Sequence, residues 1–153
     1  MMLAERMLAM PVFERTINLN VPATTVSRYL SDPANLLELC PNIVEISDIQ
    51  RHIPDSAKFN WIAKLLGVRF EGEAELRQTR HDQQIDAHFW GGLRGEATIE
   101  IHPDTLLILK LDYALPTPLL KKHREDVILW QFEHSVDCAL ASLKTLLEAN
   151  VTV

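Results

Sequence analysis

Hydrophobic and polar residues alternate along most of this chain, and the period of the alternation changes near each end. From Phe13 to Asn20, Phe13, Ile17 and Leu19 fall on one side and Glu14, Thr16 and Asn18 on the other, the pattern of a half-buried strand. Thr24 to Leu30 then predicts a short helix. Asp32 suits an N-cap with Pro33 at the first helical position, where the missing N–H costs nothing, and Pro41 stops this second short helix.

The period then returns to two. A strand is expected over about Val44 to Arg51. In the next, Ala57, Phe59, Trp61, Ala63 and Leu65 share a face against Lys58, Asn60 and Lys64. From Arg69 to Thr79, Phe70, Gly72, Ala74 and Leu76 face in, while Arg69, Glu71, Glu73, Glu75 and Arg77 face water. Gln84 to Trp90 directs Ile85, Ala87 and Phe89 inward, and Gly91-Gly92 makes a turn. Leu93, Gly95, Ala97, Ile99 and Ile101 follow, and then Leu107, Leu109, Leu111 and Tyr113 point in with Lys110 and Asp112 out.

Seven strands joined by short connections, with no helix between the second and the seventh, make an antiparallel sheet with one dry face. The cover for that face is a single helix expected from about Pro118 to Ala149, about 45 Å long at 1.5 Å per residue. Ile128, Leu129, Phe132, Val136, Ala139, Leu143, Leu146 and Leu147 form its apolar stripe. The pattern therefore predicts an α+β helix-grip fold. A curved seven-stranded antiparallel sheet wraps around one long C-terminal helix, with two short helices after the first strand.

Length and charge narrow the function. At 153 residues and 47% hydrophobic, the chain suits one domain over residues 11–150, with residues 1–10 read as a tail or a mis-assigned start. A net charge of −6 without a Lys/Arg block argues against nucleic acid and anionic membrane surfaces as main partners. No apolar run reaches membrane-span length, no signal-peptide pattern occurs, and a cytoplasmic location is expected. Cys40 and Cys138 match no metal or redox spacing and read as buried reduced thiols.

The inward face of the sheet carries almost no charge, Arg15 near an edge being the main exception. Acid–base catalysis would place a titratable pair inside, so no catalytic residue is assigned. His52, His81, His88 and His102 fall near strand ends or on outward phases, so neither a metal nor a cofactor is expected. The interior offers Phe59, Trp61, Phe70, Phe89, Leu109, Leu111, Tyr113, Phe132 and Val136 around the small residues Gly72, Ala74, Ala87, Gly95 and Ala97. Such a set either interdigitates into a packed core or leaves a hollow for an apolar ligand, with the Trp61 N–H and Tyr113 O–H as polar handles. In a straight final helix Lys121 and Glu125 would face the sheet at the cavity mouth, making Glu125 the candidate polar contact. Leu120, Val127 and Trp130 lie roughly opposite the main stripe. Either a kink near residues 126 to 130 brings both stripes to the core, or this strip meets a second copy or another protein.

Val21-Pro-Ala before a helix, Tyr29-Leu-Ser-Asp-Pro-Ala-Asn-Leu, Cys40-Pro-Asn-Ile-Val-Glu and the terminal Leu143-Lys-Thr-Leu-Leu-Glu together resemble the SRPBCC (START-like) superfamily. Within it the chain is most similar to two groups, the polyketide cyclase/dehydrase-like proteins and those resembling the G component of carbon monoxide dehydrogenase. The resemblance implies a helix-grip fold with a deep apolar cavity that takes lipids, polyketides, quinones or hormones. It transfers no catalytic residue. Three functions follow: binding of a hydrophobic small molecule (lipid, quinone or polyketide-like) between sheet and C-terminal helix; a polyketide cyclase or aromatase tested through Tyr113, Glu125 and Trp61; or an adaptor using Leu120, Val127 and Trp130.

Overall fold

The alternation in the middle of the chain folds into seven strands, all paired antiparallel: β1 (Val12–Asn18), β2 (Ile43–His52), β3 (Ser56–Leu65), β4 (Val68–Thr79), β5 (Gln84–Gly91), β6 (Arg94–Ile101) and β7 (Leu106–Ala114). This computed structural model describes residues 12–52, 55–80 and 83–151. The tail expected over residues 1–10, and His81, lie outside the described residues.

The strand order is β1-β7-β6-β5-β4-β3-β2, so the first two strands of the chain sit at opposite edges. The chain crosses between them through helix α1 (Ala23–Leu30), a 3₁₀ turn (Pro33–Asn35) and the single-turn helix α2 (Leu36–Leu39). Asp32 caps the 3₁₀ turn as its position before Pro33 suggests, its carboxylate accepting from the Ala34 N–H at 3.1 Å.

Local chemistry explains the irregular points. Leu66 and Gly67 form the two-residue β3–β4 turn, both with positive φ (51° and 80°), which matches the twist of the flanking strands. Edge strand β2 slips register between Ile43 and Glu45 and again between Ser47 and Gln50, with Asp48 at φ 51°. Such bulges blunt an edge that would otherwise template further pairing.

The cover for the dry face comes in two pieces rather than one. Helix α3 (Thr117–Lys122) ends at His123, whose backbone is extended (φ −138°, ψ 157°), and α4 (Glu125–Val151) starts afresh. The break lies earlier than the kink expected near residues 126 to 130. Its cause is packing. Leu119 and Ile128 are both fully buried in one cluster, yet one continuous helix of 3.6 residues per turn would hold them on opposite faces. His123 secures the joint by donating from Nε2 to the Leu66 carbonyl at 2.9 Å. The break does not bring the second stripe inside: Leu120, Val127 and Trp130 remain 44%, 41% and 62% exposed.

Two apolar cores result. The first joins Leu19, Val21, Val26, Leu30 and Leu39 to Ile85, Ile101, Leu107, Leu143 and Leu147. The second joins Phe59, Trp61, Phe70, Ala74 and Leu76 of β3 and β4 to Leu119 and Ile128.

Candidate functional site

Between the two cores lies a cavity of about 290 Å³. Its floor is the inner face of the sheet: Ala63 and Leu65 on β3, Phe70 on β4, Ile99 on β6, and Leu107, Leu109 and Leu111 on β7. The period of two in those strands sets this, since alternate residues share a face. Its roof is one side of α4, where Phe132, Ser135, Val136, Ala139, Leu140 and Leu143 recur at helical spacing. Leu30, Leu36, Leu39 and the run Cys40 to Ile43 close one end, and Leu93 contributes from the β5–β6 turn. Among the described residues Pro41 is the one lining residue that is itself exposed, which marks where the wall reaches solvent.

Among the described residues, the wall carries no charged side chain. Asn42 and Ser135 supply its side-chain nitrogen and oxygen atoms, and Cys40 adds a thiol. The Asn42 amide donates to Ser135 Oγ, and the Ser135 hydroxyl donates to the Gln131 carbonyl at 2.8 Å. Burial pushes the Cys40 thiol up to about 11, so it is neutral and unreactive at ordinary pH.

Of the residues singled out from the sequence, Phe70, Leu109, Leu111, Phe132 and Val136 line the cavity. Phe59 and Trp61 are buried in the second core instead. Trp61 stands edge-on to Phe70 with ring centroids 6.0 Å apart, and its indole N–H donates to the Glu73 carbonyl at 2.9 Å. That donor is already used within the sheet. Phe89 packs against the same core across Gly95. Tyr113 is 1% exposed and lies behind the wall, its ring 5.0 Å from that of Phe132 and 6.3 Å from that of Phe13. Its hydroxyl has no hydrogen-bond partner among the described residues. Burial, with a contribution from the Glu133 carboxylate, pushes it up to about 12. Glu125 is exposed at the start of α4 and outside the wall, because the break at His123 resets the helix phase that would have turned it inward.

Asn42 and Ser135 were not singled out from the sequence. The signal for Ser135 was present, since it lies between Phe132 and Val136 on the same stripe, but it reads there as a polar interruption. Asn42 sits in a turn, where periodicity says nothing.

Arg15, the inward cation, does not reach the cavity. It spans from β1 to α4, with Nε 2.8 Å from Asp137 and an Nη 3.1 Å from Glu133. Further along, Lys144 Nζ donates to the Asn18 carbonyl and the Asn20 N–H donates to Glu148. One polar edge of α4 is thus tied to β1 along much of its length. Among the described residues, no three His, Cys, Asp or Glu side chains gather as a metal site, and no helix is long and apolar enough to cross a membrane.

A curved antiparallel sheet gripping a terminal helix, with a cavity between them, defines the helix-grip class of the SRPBCC (START-like) superfamily. The chain belongs to the family described as polyketide cyclase/dehydrase and lipid transport, whose model matches residues 10–148. No curated protein matches it in sequence. Among solved structures it is similar to a Thermus thermophilus protein (TM-score 0.74, 18% identity, 92% of this chain and 98% of that one). It is also similar to the Zhui aromatase/cyclase from Streptomyces (TM-score 0.71, 15% identity, 93% and 96%). A START superfamily protein from Mycobacterium smegmatis is similar at TM-score 0.64 and 16% identity, with 89% and 98% covered. At such identities the likeness concerns the fold.

Proposed function

We propose that this protein binds a hydrophobic small molecule, lipid-, quinone- or polyketide-like, in the cavity between the sheet and α4. The observation that carries the reading is the cavity of about 290 Å³, lined by apolar side chains contributed from both cores. That volume lies at the lower edge of the ~300–1,000 Å³ typical of small-molecule sites. A void of this kind forfeits dispersion contacts on every side that faces it, so filling it with an apolar ligand is favourable. The test is native mass spectrometry of gently purified protein, followed by solvent extraction and displacement of a neutral apolar fluorophore. A bound mass of a few hundred daltons, or displacement by lipids, quinones or aromatic polyketides, is the expected result. Protein that never takes up the fluorophore would overturn the reading.

Family membership and the likeness to an aromatase/cyclase favour a second reading, in which the cavity shapes a reactive poly-ketone by position. Against it stands the wall's chemistry, whose one titratable group among the described residues is the Cys40 thiol, held neutral by burial. Turnover of a poly-ketone substrate by the purified protein, lost when Ala139→Phe fills the cavity, would establish it. The exposed Leu120, Val127 and Trp130 favour a contact with a second copy or another protein. A concentration-dependent dimer or a co-purifying protein, abolished by Trp130→Glu, is the outcome that reading requires.

A further inference from the structure

We propose that Asn42 and Ser135 are the polar anchor of this cavity and that its ligand is neutral and oxygen-bearing, a ketone, quinone or alcohol, rather than an anion. The proposal rests on the reading of the cavity as a binding site and specifies what that site selects.

Three observations lead to it. First, among the described residues the wall contains no Lys, Arg or His, so a carboxylate or phosphate there would give up hydration with no cation to compensate. Arg15, the inward cation of the sheet, is held by both Glu133 and Asp137 and has its charge matched outside the wall. Second, the side-chain nitrogen and oxygen atoms that line the wall form one unit. Asn42 donates one amide hydrogen to Ser135 Oγ, and Ser135 passes its own hydrogen to the Gln131 carbonyl. The backbone carbonyl of Asn42 accepts from the Lys64 N–H at 2.8 Å, which fixes the turn that presents the side chain. Among the described residues nothing else bonds the Asn42 side chain, which leaves its second amide hydrogen and its oxygen for a ligand, one to donate and one to accept. Third, Asn42 follows Pro41, where the wall meets solvent. A ligand's oxygen can sit there while its apolar body reaches Phe70, Leu109 and Leu111.

The test is displacement of neutral N-phenyl-1-naphthylamine at about pH 8 by three isosteric competitors: 2-acetylnaphthalene, 2-ethylnaphthalene and 2-naphthoate. One net hydrogen bond predicts that the ketone competes about two- to tenfold better than the hydrocarbon, with the carboxylate weaker than both. Asn42→Ala should bring the ketone-to-hydrocarbon ratio close to one, and Ser135→Ala, on a helix that readily accepts alanine, should reduce it in the same direction. A merely structural role would weaken all competitors alike and leave the ratio intact. Equal competition in the unaltered protein, a ratio retained in both variants, or a carboxylate that binds tightest would overturn the proposal while leaving the binding site in place. Failure of the fluorophore and all three naphthalenes to bind would overturn the site itself and the proposal with it.

Discussion

At Gly72 the β4 backbone passes directly beneath Trp61, and a Cβ there would collide with the Trp90 carbonyl and the Trp61 ring. Gly72→Ala is therefore expected to cost about 1–3 kcal/mol, read from the denaturant midpoint, as overpacked sites generally do. Tyr113 presents the opposite case. Its hydroxyl is buried without a partner among the described residues, and an unsatisfied buried group carries an unreturned desolvation cost. Tyr113→Phe should leave the thermal midpoint unchanged or raise it, by up to about 1 kcal/mol of stability. The sequence made the inward phase of both residues plain, because alternation is a local property. It left open which of them would meet a void, a ring or a carbonyl, since those neighbours come from other strands.

The final helix shows what is decided at the level of the element. Its stripe from Ile128 to Leu147 is legible, and Ile128, Leu143 and Leu147 are buried as that spacing demands. The break at His123 is not, because Lys-Lys-His-Arg contains neither proline nor glycine. It follows from two leucine-sized anchors that must enter one core and from a histidine that caps the β3–β4 turn. The tie between β1 and α4 has a measurable signature. Without Arg15, Glu133 and Asp137 would stand one helical turn apart as unrelieved like charges. Arg15→Ala is expected to cost about 1 kcal/mol in dilute buffer, shrinking toward zero in molar salt. Denaturant unfolding at two ionic strengths checks this, and a loss independent of salt would mean that Arg15 acts through packing over Phe13, whose ring centroid lies 4.9 Å away.

For the whole molecule, two consequences follow from having two cores with a void between them. Ala139 stands on the roof of that void, so Ala139→Phe should fill it. Fluorophore affinity is expected to fall at least about tenfold while the unfolding midpoint holds or rises, as for a filled cavity. The second consequence concerns alkaline pH. Burial pushes the Cys40 thiol from 9.0 to about 11, and burial also pushes the Tyr113 hydroxyl from 10.0 to about 12. The unfolded chain loses these protons first, so in this window it binds fewer protons than the folded protein and stability falls as pH rises. These two groups make stability decline from about pH 9 to about 12. In Tyr113→Phe the decline between 10 and 12 should be shallower, as urea titrations across that range would report.

The sequence by itself determined the strand count, the sheet's dry face, the two short helices ending at Pro41 and the apolar stripe of the terminal helix. Each is encoded in residues close together along the chain, by period, cap or ring. Only the tertiary structure decided that the aromatic residues divide, with Phe70 and Phe132 on the cavity wall and Phe59 and Trp61 packed in a core. It alone joined Asn42 to Ser135 and put Glu125 outside the wall. An inward phase tells a residue which face of the sheet to occupy. Whether that face meets another side chain or an empty volume depends on where a helix far along the chain comes to rest.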